Sequence, residues 1–117
     1  MILVIDSDRV FGDCIVRTLE KNGFKVRLFG DAISAMGAIS EIGAPDLVFL
    51  DVMLTGPNGF TFLNEMASYA DTFEVPIVIV SEKDFAKFDL KAYGVVGTLD
   101  KYVMVPKDVV EYAKKYA

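Results

Sequence analysis

Five short apolar runs, separated by segments of helical period, limit what this chain can fold into. The runs cover residues 2–5, 26–28, 47–50, 77–80 and 95–99. Each is continuous rather than alternating, which is how strands read when both faces of a parallel sheet are covered. The intervening segments carry stripes at helical spacing. Phe11, Cys14, Ile15, Thr18 and Leu19 form the first, and Asn22-Gly23 closes it. Asp31 is a good N-cap for the second, with Ala32, Met36, Ile39 and Ile42 on its stripe before Gly43. Phe60, Leu63, Met66 and Ala67 mark a third, residues 84–93 a short fourth, and Pro106 opens the last in its first turn. Five βα units in one chain predict an α/β three-layer sandwich, (βα)5, around a five-stranded parallel sheet with right-handed crossovers. One domain is expected over residues 1–117, with no linker, repeat or output domain.

Composition narrows the function classes. With 117 residues, 53% of them hydrophobic, the chain can bury a core without disulfides or a structural metal. No apolar run approaches the roughly 20 residues needed to cross a bilayer. The run at 2–5 meets Asp6 at once and has no basic flank, so it is not a signal peptide. A cytoplasmic protein is expected, with no membrane contact. The single cysteine, Cys14, excludes an internal disulfide, and its place on an apolar stripe predicts core packing. The absence of histidine excludes histidine catalysis, histidine metal ligands and a phosphohistidine role for this chain. A net charge of −5 argues against direct nucleic-acid binding.

Chemistry is concentrated where the predicted strands end. In an open parallel sheet, ligands bind outside the carboxyl ends of the strands. There the sequence places Asp6-Ser7-Asp8 after the first run, Asp51 after the third, Ser81 after the fourth and Lys101 after the fifth. Taken singly, each has an ordinary structural role: an aspartate as turn or cap residue, Ser81 as a helix cap, Lys101 as a solvated surface charge. Their arrival together carries the argument. Converging carboxylates repel one another unless a hard cation joins them, and Mg²⁺ accepts one or two carboxylates plus waters and phosphate oxygens. Asp51 can then act as a phosphoryl acceptor, with Mg²⁺, the Lys101 ammonium and the Ser81 hydroxyl neutralising the phosphoryl oxygens.

These residues make the chain resemble the response regulator receiver domain over essentially its whole length. Ile2-Leu-Val-Ile-Asp6 is similar to the family's first strand and acidic start. Asp46-Leu-Val-Phe-Leu-Asp51-Val-Met-Leu-Thr-Gly-Pro-Asn-Gly-Phe60 is similar to its phosphoacceptor strand and loop. Pro76-Ile-Val-Ile-Val-Ser81 resembles the strand ending in a switch hydroxyl, and Gly94-Val-Val-Gly-Thr-Leu-Asp-Lys101 the strand ending in the lysine. The resemblance implies a doubly wound, flavodoxin-like fold and a phosphoprotein of two-component phosphorelay signal transduction. It makes Asp51 the phosphoacceptor that forms an aspartyl phosphate, Ser81 the switch hydroxyl and Lys101 the phosphoryl partner. The Mg²⁺ site would comprise Asp6, Asp51 and the backbone carbonyl of Met53, with Asp8 or Ser7 reaching the ion through water. The implied partners are a histidine kinase or phosphotransfer protein, then a downstream protein docking on the face formed by the fourth helix, fifth strand and fifth helix, or a second copy in a homodimer. The chain would not be an enzyme beyond self-phosphorylation from small donors and self-dephosphorylation.

Four positions depart from the family pattern. Ser7 replaces the second of two adjacent acids, which predicts weaker Mg²⁺ binding. Thr98 replaces a common switch aromatic, Tyr102 a usual proline and Thr55 a loop proline, while the segment 81–94 is about two residues short. Tyr102-Val-Met-Val-Pro106, with Phe85, Phe88 and Tyr93, is apolar for a region used for partners, and it reads equally as core or as a docking patch. Two alternatives follow. One is a phosphorylation-independent pseudo-receiver acting as a binding or dimerisation module. The other is a haloacid-dehalogenase-like phosphohydrolase, with Asp6 as nucleophile and Asp8 as acid/base.

Overall fold

A computed structural model describes residues 1–53, 59–83, 85 and 89–117. The strands are β1 (Ile2–Ile5), β2 (Val26–Phe29), β3 (Leu47–Leu50), β4 (Ile77–Ser81) and β5 (Val95–Asp100). They form one parallel sheet in the order β2-β1-β3-β4-β5. Among the described residues four α-helices accompany it: α1 (Arg9–Lys21), α2 (Ala32–Ile42), α3 (Gly59–Ser68) and α4 (Pro106–Tyr116). All five predicted strands are present, within a residue or two of the apolar runs.

The continuous apolar runs exist because each strand has two faces to cover. On one face, Leu3, Ile5, Val48, Leu50, Ile77 and Ile79 pack with Ala35 of α2 and Phe62, Leu63 and Met66 of α3. On the other, Ile2, Val4, Leu47, Phe49, Val78 and Val80 pack with Ile15 and Leu19 of α1 and Val109 and Ala113 of α4. Helices therefore cover both faces, in the doubly wound, flavodoxin-like arrangement. Residues alternate between the two cores because successive side chains point to opposite faces.

Helix ends follow the expected chemistry. The Asp31 carboxylate accepts from the Ser34 N–H at 2.7 Å at the start of α2. Asp8 does the same for α1, accepting from the Phe11 N–H at 3.1 Å. Gly23 and Gly43 follow or cap α1 and α2 at φ +87° and +94°, where a side chain would be strained. At α4, Pro106 occupies the first turn and Asp108 Oδ2 accepts from the Val105 N–H at 2.9 Å.

Several sequence expectations need correction. Cys14 is exposed, not core. The buried face of α1 runs through Gly12, Ile15 and Leu19, and Cys14 lies just beside it. Gly12 is buried because it sits against Leu28 of β2. Ile42 and Phe60 are likewise exposed, since the buried faces run through Ala35, Ala38 and Ile39 in α2 and through Phe62, Leu63 and Met66 in α3. The short fourth helix predicted at 84–93 begins outside the described residues. Among the described ones that segment holds only a 3-10 turn at Lys91–Tyr93, ended by Gly94 at φ +82°. Thr55 and Phe88 also lie outside the described residues.

β5 is an irregular edge. Its register shifts at Val95–Gly97, where Ile77 faces Val95 but Val78 faces Gly97, leaving Val96 as the extra residue of a bulge. Gly97 is required there by packing, because a Cβ would collide with the ring and hydroxyl of Tyr112 from α4.

Candidate phosphoryl-acceptor site

Strand register brings the chemical residues to one edge of the sheet. Ile5 pairs with Leu50, so Asp6 and Asp51 leave adjacent strands side by side, and the Asp51 N–H donates to the Ile5 carbonyl at 2.9 Å. Leu50 pairs with Ile79 and Ser81 with Asp100, which places Ser81 and Lys101 on the next two strands at a similar height. The Lys101 N–H donates to the Ser81 carbonyl at 2.9 Å.

Lys101 joins the two acids. Its Nζ lies 2.7 Å from Asp6 Oδ2 and 3.1 Å from Asp51 Oδ2, and the latter contact is a hydrogen bond. Both residues are buried, and the Lys101 side chain is 6% exposed, so this is an ion pair withdrawn from water. The other carboxylate oxygens are held by the backbone. Asp6 Oδ1 accepts from the Asp8 N–H at 2.8 Å, and Asp51 Oδ1 accepts from the Met53 N–H at 2.9 Å. Asp6 Oδ2 is met by the ammonium, in an ion pair of 2.7 Å. Burial lifts the Asp6 carboxyl above its ordinary range, even against the opposing pull of Lys101 and the Asp8 N–H. For Lys101, burial works to lower the pKa, but the carboxylates of Asp6 and Asp51 together outweigh it and raise it.

Ser81 is buried, and its Oγ accepts from the Lys83 N–H at 3.2 Å. Asp8 and Ser7, expected near a cation, are both exposed, and the Asp8 carboxylate is engaged in capping α1. No group of three His, Cys, Asp or Glu side chains that could hold a metal occurs among the described residues. The donor set that fits a hard divalent cation is therefore Asp6 and Asp51, together with the Met53 carbonyl that the sequence points to. Asp6 Oδ2, a buried carboxylate oxygen whose described partner is the Lys101 ammonium, is the atom such an ion would share with it.

The loop positions that depart from the expected pattern have structural roles of their own. At Tyr102 the N–H donates to Asp100 Oδ1 at 2.8 Å, a bond proline cannot make. Thr98 lines a cavity of about 320 Å³ with Ile79, Phe85 and Met104, in the space beside the fifth strand. Around this loop Tyr102, Val103 and Val105 are exposed whereas Met104 and Phe85 are half-buried, so the apolar segment is divided between surface and core. Gly59, where the chain re-enters regular structure, is required by close approach: a Cβ would overlap the Val52 backbone.

One neighbour of the site went unread in the sequence. The Phe11 ring lies under Lys101, with Nζ 4.6 Å from its centroid. The only signal was an aromatic residue in the first turn of the helix that follows the acidic loop.

Comparison with known proteins bears on the family and the fold. The response regulator receiver domain model matches residues 2–113. The DNA-binding response regulator MtrA of Mycobacterium leprae is 34% identical over 106 residues, covering 90% of this chain and 44% of MtrA. Response regulator MprA of a Mycobacterium species is 34% identical over 83 residues, covering 71% of this chain and 35% of MprA. The chain thus spans less than half the length of these curated relatives. The receiver domain of NtrX from Brucella abortus has a TM-score of 0.82 at 28% identity, over 98% of this chain and 96% of that one. The chemotaxis protein CheY4 of Vibrio cholerae reaches 0.86 at 21% identity, over 99% and 97%, a likeness of fold. A match running from the first strand into the last helix, on a sheet of this strand order, makes the chain a member of the response regulator receiver domain family.

Proposed function

We propose that this receiver accepts a phosphoryl group on Asp51 in a two-component phosphorelay. The observation that carries the reading is the buried Lys101 ammonium within 3.1 Å of Asp51 and 2.7 Å of Asp6. The donor is a phosphohistidine on a kinase or phosphotransfer protein. An Asp51 carboxylate oxygen forms the new P–O bond, the donor's P–N bond breaks, and the departing imidazole takes up a proton. Lys101 is in position to pair with the added charge. Ser81 Oγ accepts from the backbone at Lys83, which leaves its hydroxyl hydrogen for a phosphoryl oxygen. Mg²⁺, which receivers generally bind, would be held by Asp6, Asp51 and the Met53 carbonyl and would supply charge neutralisation at the phosphoryl oxygens.

Receivers are generally signalling modules rather than enzymes, and we read self-labelling and self-dephosphorylation as the extent of the chemistry. Output is a population shift between two surfaces, read by a downstream protein at the β5–α4 side or by a second copy of the chain. Exposed Tyr102, Val103 and Val105 support that location. Among the described residues no helix is long and apolar enough to cross a membrane, in keeping with a cytoplasmic relay. The Asp6-Ser7-Asp8 segment does not favour a haloacid-dehalogenase reading, since Asp8 is spent as a helix cap.

The test is incubation with acetyl phosphate and Mg²⁺, followed by intact mass beside an Asp51→Asn control. A phosphoryl adduct on the wild type alone is expected. Failure to label, together with failure to bind the beryllofluoride mimic, overturns the proposal. In that event the pseudo-receiver reading gains, supported by exposed Ser7 and by Lys101 already neutralising Asp6. A phosphorylation-dependent change in oligomeric state would count against that second reading.

A further inference from the structure

We propose that Phe11 is a positioning residue for Lys101, holding the ammonium over the two carboxylates and so setting how strongly the site takes a divalent cation. The inference rests on the phosphoacceptor reading for its consequence, but its geometry stands by itself. Among the described residues Lys101 Nζ has three partners: Asp6 Oδ2 at 2.7 Å, Asp51 Oδ2 at 3.1 Å and the Phe11 ring with its centroid at 4.6 Å. A cation over the face of an aromatic ring is attracted by the ring quadrupole, and the attraction grows when the cation is withdrawn from water, as it is here.

The ring packs, partly buried, against the core between the sheet and α1. The Phe11 N–H donates to the Asp8 carboxylate, which caps α1, so the residue's backbone is tied to the acidic loop. The same bond engages the only other acid of the loop. With Ser7 carrying no charge, the cluster of Asp6, Asp51 and Lys101 has a net charge of −1 (two carboxylates and one ammonium). A divalent cation arriving at Asp6 Oδ2 meets an ammonium already 2.7 Å from that oxygen. The like charges repel, so whatever stabilises the ammonium in its present place opposes the cation. Phe11 does so without adding charge. The ring therefore lowers cation affinity, and it also keeps the ammonium within reach of Asp51 for a phosphoryl group.

The experiment compares Mg²⁺ dissociation constants, read from amide shifts in NMR titrations, for wild type, Phe11→Leu, Phe11→Tyr and a protein carrying 3,4,5-trifluorophenylalanine at position 11. Fluorination removes the negative ring face while keeping shape, so it remains informative if Phe11→Leu does not fold. Tighter Mg²⁺ binding, by about two- to tenfold, is expected for the leucine and fluorinated proteins, with Phe11→Tyr like wild type. Equal constants across the set, no binding by any of them, or Phe11→Tyr behaving as Phe11→Leu would overturn the proposal. Acetyl phosphate labelling of the same proteins separates the two readings. Unlabelled wild type with the Mg²⁺ trend intact removes the phosphoacceptor role and keeps Phe11, and normal labelling with unchanged Mg²⁺ constants does the reverse.

Discussion

β3 and β5 each end in a residue of the site, yet they are built differently. β3 lies between β1 and β4, its four residues are wholly buried, and it delivers Asp51 into a lattice bonded on both sides. Among the described residues β5 pairs only with β4, carries a bulge at Val96, and has Val95 as its one buried residue. The acceptor thus follows a strand bonded on both sides, and the lysine that answers it follows a strand at the edge of the sheet. Regions with few buried contacts are where local rearrangement costs least, so the β5 side is expected to yield before β3 does.

Substitutions can break that contrast. The largest effect is expected in β3: Phe49→Ala, at a wholly buried position, should cost about 3–5 kcal/mol of unfolding free energy in urea titrations, against less than about 1 kcal/mol for Val96→Ala on the exposed edge. Comparable losses at the two positions would abolish the distinction. Gly97→Ala tests whether β5 is loosely packed along its whole length. The added methyl would drive into the Tyr112 ring, and a loss of about 1–3 kcal/mol is expected. No loss would mean that α4 yields along with the edge.

The smallest effect is a pH slope at the shared centre. Because burial raises the Asp6 pKa, the folded state holds this proton more tightly than the unfolded chain. Its stabilising contribution is complete below the ordinary value of 3.8 and is lost as pH rises through the raised value. Asp6→Asn removes that dependence, so the stability of the variant relative to wild type should improve as pH rises from the ordinary carboxylate range toward neutrality. A flat difference would show that Lys101 fully compensates the burial of Asp6.

Much of the frame was legible in the chain. Runs such as Leu47–Leu50 announce strands because a two-sided strand has no place for a polar residue, and Asp31 and Gly43 punctuate α2 through local hydrogen bonding and φ preference. Helix faces were harder to read. Cys14 and Ile42 fit apolar stripes yet lie exposed, because the buried faces of α1 and α2 include small residues such as Gly12 and Ala35, which let the helix approach the sheet, and Phe60 lies off the α3 face of Phe62, Leu63 and Met66. Hydrophobicity alone does not register that preference for small volume.

The site divides in the same way. Asp6, Asp51, Ser81 and Lys101 were identifiable because each terminates an apolar run, and strand periodicity is a local property. The sequence by itself determined the five strands, the capped helices and the residues at the strand ends, all through interactions among near neighbours in the chain. Tertiary structure alone decided that Lys101 bridges Asp6 and Asp51, that Asp8 caps α1, and that Phe11 lies against the ammonium. Those contacts depend on sheet order, the β5 bulge and the depth at which α1 packs, and each of these is set by long-range packing across the two cores.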